Sequence, residues 1–181
     1  MEKRFVLWVG PKHSGKTTSV ARLAQKAKNE GFNVAGVLAP SVYADENLTG
    51  FEVVDLRTGK RLPLATRKIN QNQQGGFTFT QTGLEFGKNA LSAEAVKSAE
   101  LIIVDEFGPL ELEGEGWRKD IDLILSNIDA LVVLVVRNEI AEKVQSLYKD
   151  IPAERLDAAK VQSIVKVMEM LADICKLKND G

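Results

Sequence analysis

Four apolar runs stand out from their polar surroundings, at residues 5–9, 34–38, 101–104 and 130–136. They are rich in Val, Ile and Leu and do not alternate with polar residues. A strand covered on both faces reads this way, as in a parallel sheet lying between helices. The segments that follow them keep helical spacing. Val20, Leu23, Ala24 and Ala27 share one face of a helix expected over about 15–30, with Gly31 as its stop. Ile121, Ile124, Leu125 and Ile128 form a second such face. Val161, Ile164, Val165, Val167, Met168 and Leu171 form a third, near the C-terminus. Strands alternating with helices predict an α/β fold of three layers around a mainly parallel sheet.

One stretch breaks the rhythm. Residues 51–56 and 61–64 flank Arg57-Thr58-Gly59-Lys60 and read as an antiparallel β-hairpin. After it, residues 70–76 are polar or glycine throughout and read as a mobile loop. A helix is expected to resume at Thr82, where Thr82-Gly83-Leu84-Glu85 fits a capping box. The chain is thus expected to be a single domain over 1–181, with a hairpin and loop insertion at about 41–80.

Composition narrows the function. The 181 residues are 44% hydrophobic and 27% charged, an ordinary globular balance. The net charge of -1 makes a nucleic-acid partner unlikely, since a globally basic surface is missing. A local excess of Arg57, Lys60, Arg61, Arg67 and Lys68 reads as a solvated face, a phosphate-contacting lid or a docking surface. With Cys175 the lone cysteine and His13 the lone histidine, neither an internal disulfide nor a Cys/His zinc site is possible. The longest apolar run is seven residues, far short of a membrane span. Lys3-Arg4 and the short run behind it do not make a signal peptide, so no membrane partner and a cytoplasmic location are expected.

The chemistry is carried by Gly10-Pro11-Lys12-His13-Ser14-Gly15-Lys16-Thr17, which fits the phosphate-binding G-x-x-x-x-G-K-[ST] loop. An apolar strand ends just before it and an amphipathic helix starts within it, as the mechanism requires. Between Gly10 and Thr18 the backbone N–H groups, which Pro11 lacks, can converge on phosphate oxygens, helped by the helix N-terminus. Lys16 is expected to reach out through solvent to the β- and γ-phosphates, and the Thr17 hydroxyl to sit on Mg²⁺. His13 points outward.

The other half of the site is Leu101-Ile102-Ile103-Val104-Asp105-Glu106, four apolar residues and then an acid. Asp105 is expected to hold Mg²⁺ together with Thr17. Glu106 can face the phosphates only if the strand ends at Asp105 and the chain turns, which Gly108-Pro109 favours. There it would act as the base that orients the attacking water, with Glu111 next in line. Arg137 ends a strand and emerges at the phosphate edge if that strand is parallel to the first. It reads equally as an arginine finger or as a surface partner of Glu139 or Glu142. Trp8 is expected in the core, and Trp117 docked onto the sheet.

The string Asp105-Glu106-Phe107-Gly108-Pro109-Leu110-Glu111-Leu112, the segment Gly50-Phe51-Glu52-Val53-Val54-Asp55-Leu56 and the P-loop in front occur in a telling order. By motif over about residues 5–137, the chain resembles the cancer-related nucleoside-triphosphatase family and its thermophile relatives. The resemblance implies a RecA-like P-loop fold and Mg²⁺-dependent hydrolysis of ATP, GTP or both, with loose base preference. The chain departs from that pattern at Ser41-Val42-Tyr43, where the family has Glu-Val-Arg. The Lys12–Thr18 loop is also similar to that of the GTP-binding accessory proteins of molybdenum-cofactor assembly, but Val37-Leu38-Ala39-Pro40 replaces their Lys-His pair. Two other functions therefore stay open: a small-molecule or nucleotide kinase, and a nucleotide-gated accessory protein working through a protein partner. No Asn-Lys-x-Asp guanine signature is present.

Overall fold

A computed structural model describes residues 5–67 and 76–179, with side chains to 176. In chain order the elements are β1 (Phe5–Gly10), α1 (Lys16–Asn29), β2 (Val34–Leu38), β3 (Ser41–Ala44), β4 (Asn47–Asp55), β5 (Arg61–Arg67) and β6 (Phe77–Phe79). Then come α2 (Gln81–Ala90), α3 (Ala93–Val96), β7 (Leu101–Asp105), α4 (Pro109–Leu112) and α5 (Arg118–Asn127). The chain ends in β8 (Leu131–Arg137), α6 (Asn138–Leu147), β9 (Ala153–Asp157) and α7 (Val161–Asn179). The loop expected over 70–76 falls, apart from Gly76, outside the described residues.

The strands join in one sheet of order β6-β5-β4-β2-β7-β8-β1-β9, with β3 on the side of β4. Five of them, β2, β7, β8, β1 and β9, run parallel. From β2 outward the pairing turns antiparallel through β4, β5 and β6. The expected hairpin is thus present, but it extends the main sheet and carries two further strands, β3 and β6.

The unalternating apolar runs are explained by two cores, one on each face. Phe5, Leu7 and Val9 point into the first, with Ile102, Val104, Val132 and Leu134, against Ile121, Ile124 and Leu125 of α5. Val6 and Trp8 point into the second, with Ile103, Val133 and Val135, against Val20, Leu23 and Ala24 of α1 and Leu171 of α7. Every residue of β1 is buried because each of its two faces meets a helical layer. Trp8 is fully buried and still satisfied, since its indole N–H donates to the Ser19 hydroxyl at 2.9 Å.

α2 begins two residues earlier than the capping-box reading placed it. Its cap is Thr80, whose hydroxyl accepts from the Gly83 N–H at 3.1 Å. The Thr80 N–H is itself held by the Leu64 carbonyl, so Thr80 stays extended while the helix starts behind it.

Gly36 lies in the middle of β2 with φ 107. A Cβ there would meet the Ile103 carbonyl oxygen at 2.0 Å, on the neighbouring strand. Gly36→Ala should therefore destabilise by about 3 kcal/mol, combining left-handed strain with a backbone clash. A urea midpoint equal to that of the parent protein would contradict this.

Candidate functional site

Parallel registry aligns the strand ends that make the site. β1 and β8 run side by side with Gly10 opposite Arg137, and Asp105 of β7 lies opposite Val135 of β8. Arg137, Asp105 and the P-loop therefore emerge along one edge of the sheet, the carboxyl edge where α/β folds bind ligands.

Residues 11–15 form the exposed loop between β1 and α1. His13 and Gly15 both take left-handed φ, at 58 and 78, which curls the loop around its own amides. A Cβ at Gly10 would lie 2.7 Å from the Ser14 hydroxyl and 3.1 Å from the Lys16 side chain, so any larger residue would have to displace both. His13 is exposed, as expected. Lys16 departs from expectation: it is 6% exposed, and its ammonium donates to the Pro11 carbonyl at 2.7 Å. It folds back across the loop, held by that carbonyl. Burial pushes its pKa down, and the nearby Glu106 opposes that shift.

Asp105 ends β7 and is buried. Its carboxylate accepts from the Ala39 N–H at 3.0 Å and from the Thr17 hydroxyl. Burial raises its pKa to about 6, against the pull of those two hydrogen bonds. A hydroxyl and a carboxylate in contact at the mouth of a P-loop are hard oxygen donors of the kind that suit Mg²⁺.

The strand stops at Asp105, and the Asp105–Glu106 peptide is cis. With the strand ended, Glu106 lines the same cavity as Lys16 and the P-loop. Its partner is Arg137, whose Nε donates to Oε1 at 2.6 Å. Arg137 is thus paired with neither Glu139 nor Glu142; β8 register carries it to Glu106. Glu111 is no substitute base. One of its oxygens accepts from the Gly108 N–H at 3.0 Å and the other from the Trp117 N–H at 3.2 Å, which ties the loop after β7 together. Trp117 is buried as expected but lies against α2, where its indole N–H donates to the Leu84 carbonyl at 3.0 Å.

A cavity of about 710 Å³ begins at the P-loop and continues past Glu106 toward β3–β6 and α4. Its far half is apolar, a feature that no motif announced. No helix among the described residues is long and apolar enough to cross a membrane.

A parallel sheet with a phosphate loop after β1, a buried acid ending β7 and one strand between them defines a P-loop nucleoside-triphosphate-binding protein. Comparison with known proteins narrows the class. A family model described as NTPase matches residues 6–167. Nucleoside-triphosphatase THEP1 of Methanothermobacter thermautotrophicus is 30% identical over 174 residues, 93% of this chain and 96% of that one. THEP1 of Pyrococcus abyssi is 28% identical over 123 residues, 68% of this chain and 69% of that one. Among solved structures, a human cancer-related nucleoside triphosphatase aligns with a TM-score of 0.66 at 20% identity, covering 100% of this chain and 99% of that one. THEP1 from Aquifex aeolicus aligns with a TM-score of 0.65 at 19% identity, covering 96% and 98%. The two structures share the fold; the family model and the first relative go further. The chain belongs to the NTPase family.

Proposed function

We propose that this site hydrolyses nucleoside 5′-triphosphates to the diphosphate and phosphate with Mg²⁺ as the metal. The activity rests on family membership, and the matched relatives are named for hydrolysis rather than for transfer or an accessory role. The observation that supports this division of labour is the meeting of Lys16, Asp105, Glu106 and Arg137 at one end of the sheet.

The amides of residues 10–18 would cradle the phosphates, and Lys16 would leave Pro11 for the β- and γ-oxygens. Thr17 and Asp105 would hold Mg²⁺, which supplies charge neutralisation on the phosphate oxygens. Glu106 would accept a proton from the attacking water. Arg137 now neutralises Glu106; drawn instead to the γ-phosphate, it would free the carboxylate to act as base and would itself stabilise the departing charge. Catalysis would be mostly positioning and electrostatics. The whole chain would serve as one domain, with β3 to β6 extending its sheet beyond β2. The substrate would be ATP, GTP or both.

Phosphate release against a panel of nucleoside triphosphates tests this; no release with any of them would defeat it. Asp105→Asn should weaken Mg²⁺-dependent triphosphate binding as well as turnover. In the parent, the same binding should weaken as pH falls through about 6, because Asp105 must give up its proton to ligate a cation. Nucleotide titrations with and without Mg²⁺ from pH 5 to 8 separate the two effects. Metal-independent affinity in the parent protein would contradict both.

A further inference from the structure

The far half of the cavity is the wrong surface for a triphosphate. Tyr43, Phe51, Phe77, Phe79, Leu110 and Trp117 line it, and Phe51 and Phe77 meet edge to face at 4.9 Å. Tyr43 and Phe79 leave 59% and 46% of their surface bare. Such exposure of neighbouring aromatics marks a ligand or partner surface.

Its position decides which ligand. A bound triphosphate lies along the P-loop with its γ-phosphoryl group at Lys16 and at the acid ending β7. In the strand order, β7 lies on the β2–β4 side of β1, and β9 on the other. The γ end therefore points toward β7, β2 and β4, and the nucleoside trails toward β9. The aromatic chamber, built on β3 to β6 and α4, cannot be the seat of that nucleoside's base. It lies where the attacking oxygen of an in-line displacement must come from, with Glu106 on its wall. An apolar wall on that side suits an organic acceptor better than bulk water.

We propose that the chamber binds a second, acceptor molecule with a planar heteroaromatic body and a hydroxyl, of the nucleoside class, and that this hydroxyl takes the γ-phosphoryl group in place of water. This rests on the nucleotide site described above and adds transfer to hydrolysis. The acceptor oxygen forms a bond to the γ-phosphorus, and the bond from that phosphorus to the β–γ bridging oxygen breaks. The electron pair leaves with the nucleoside diphosphate. The hydroxyl proton passes to Glu106 and then to solvent. The products are a nucleoside monophosphate and a diphosphate, so atoms and charge balance.

The test uses the full chain, γ-phosphate-labelled ATP, and adenosine, guanosine, cytidine, uridine and thymidine as acceptors. Label is expected in a nucleoside monophosphate. Tyr43→Ala and Phe79→Ala are expected to raise the acceptor KM about tenfold, the scale of one lost base–aromatic stack, while KM for ATP and acceptor-free phosphate release stay unchanged. Both residues are exposed, outside the buried core, so neither variant should fail to fold. Label confined to inorganic phosphate with all five nucleosides overturns the proposal and leaves the hydrolase intact. So does labelled nucleoside whose KM neither variant moves. Loss of phosphate release in the parent protein would instead strike the nucleotide site itself.

Discussion

Glu106→Gln is expected to slow single-turnover hydrolysis by a factor on the order of 10²–10⁴ while triphosphate affinity stays near that of the parent protein. Gln keeps the size of the side chain and one acceptor oxygen, but loses charge and basicity. The proton is taken only as the reaction proceeds, whereas the phosphate cradle and cation ligands are in place from binding onward. The pairing with Arg137 adds a second signature. Gln still offers an oxygen to Arg137 but no charge, so the 2.6 Å pair is weakened and triphosphate affinity is not expected to fall. Both are part-exposed, so the lost pair should cost little stability. Turnover equal to that of the parent protein would place the base elsewhere, and Glu111 is already committed to two backbone N–H groups.

Lys16→Ala should reduce hydrolysis by at least about 10²–10³, the scale of one lost charge-stabilising donor, and weaken triphosphate binding as well. The fold should survive. The ammonium sits on a single carbonyl, and burial already pushes its pKa down, so the folded protein gains little from holding that charge. Circular dichroism and thermal melting verify folding, and phosphate release reads activity. A folded Lys16→Ala protein with undiminished release would remove the P-loop from the mechanism.

The legible parts of the molecule were those written locally. β1, β2, β7 and β8 announce themselves because both faces are buried and, apart from Asp105 and Arg137 at the ends of β7 and β8, no position is charged. The P-loop and Asp105 are read from spacing, because phosphate binding demands specific residues within one turn. β9 was missed for the opposite reason. Its sequence Ala153-Glu154-Arg155-Leu156-Asp157 is charged and half-exposed, as an edge strand beside β1 can be, so no apolar run betrays it. β6 is three residues long and exists only by pairing with β5. The Arg137–Glu106 pair joins residues 31 apart, and strand register alone brings them together. Thr82-Gly83-Leu84-Glu85 matched a capping pattern, yet the pairing of Thr80 with Leu64 decided where α2 starts. The aromatic chamber is assembled from segments far apart in sequence, and neither the Phe51 string nor the Leu110 string says that they meet.

The hydrogen bond from the Ala39 N–H to Asp105 has a consequence beyond local satisfaction of a buried acid. Ala39 is the last link before Pro40 and β3, so the acid that ends β7 is tethered to the strand bearing Tyr43. Linkage fixes the form that any coupling between the two ends takes: the factor by which a molecule seated against β3 alters cation affinity equals the factor by which the cation alters its own. Amide exchange at Ala39, followed with and without Mg²⁺, reads whether this tether carries it.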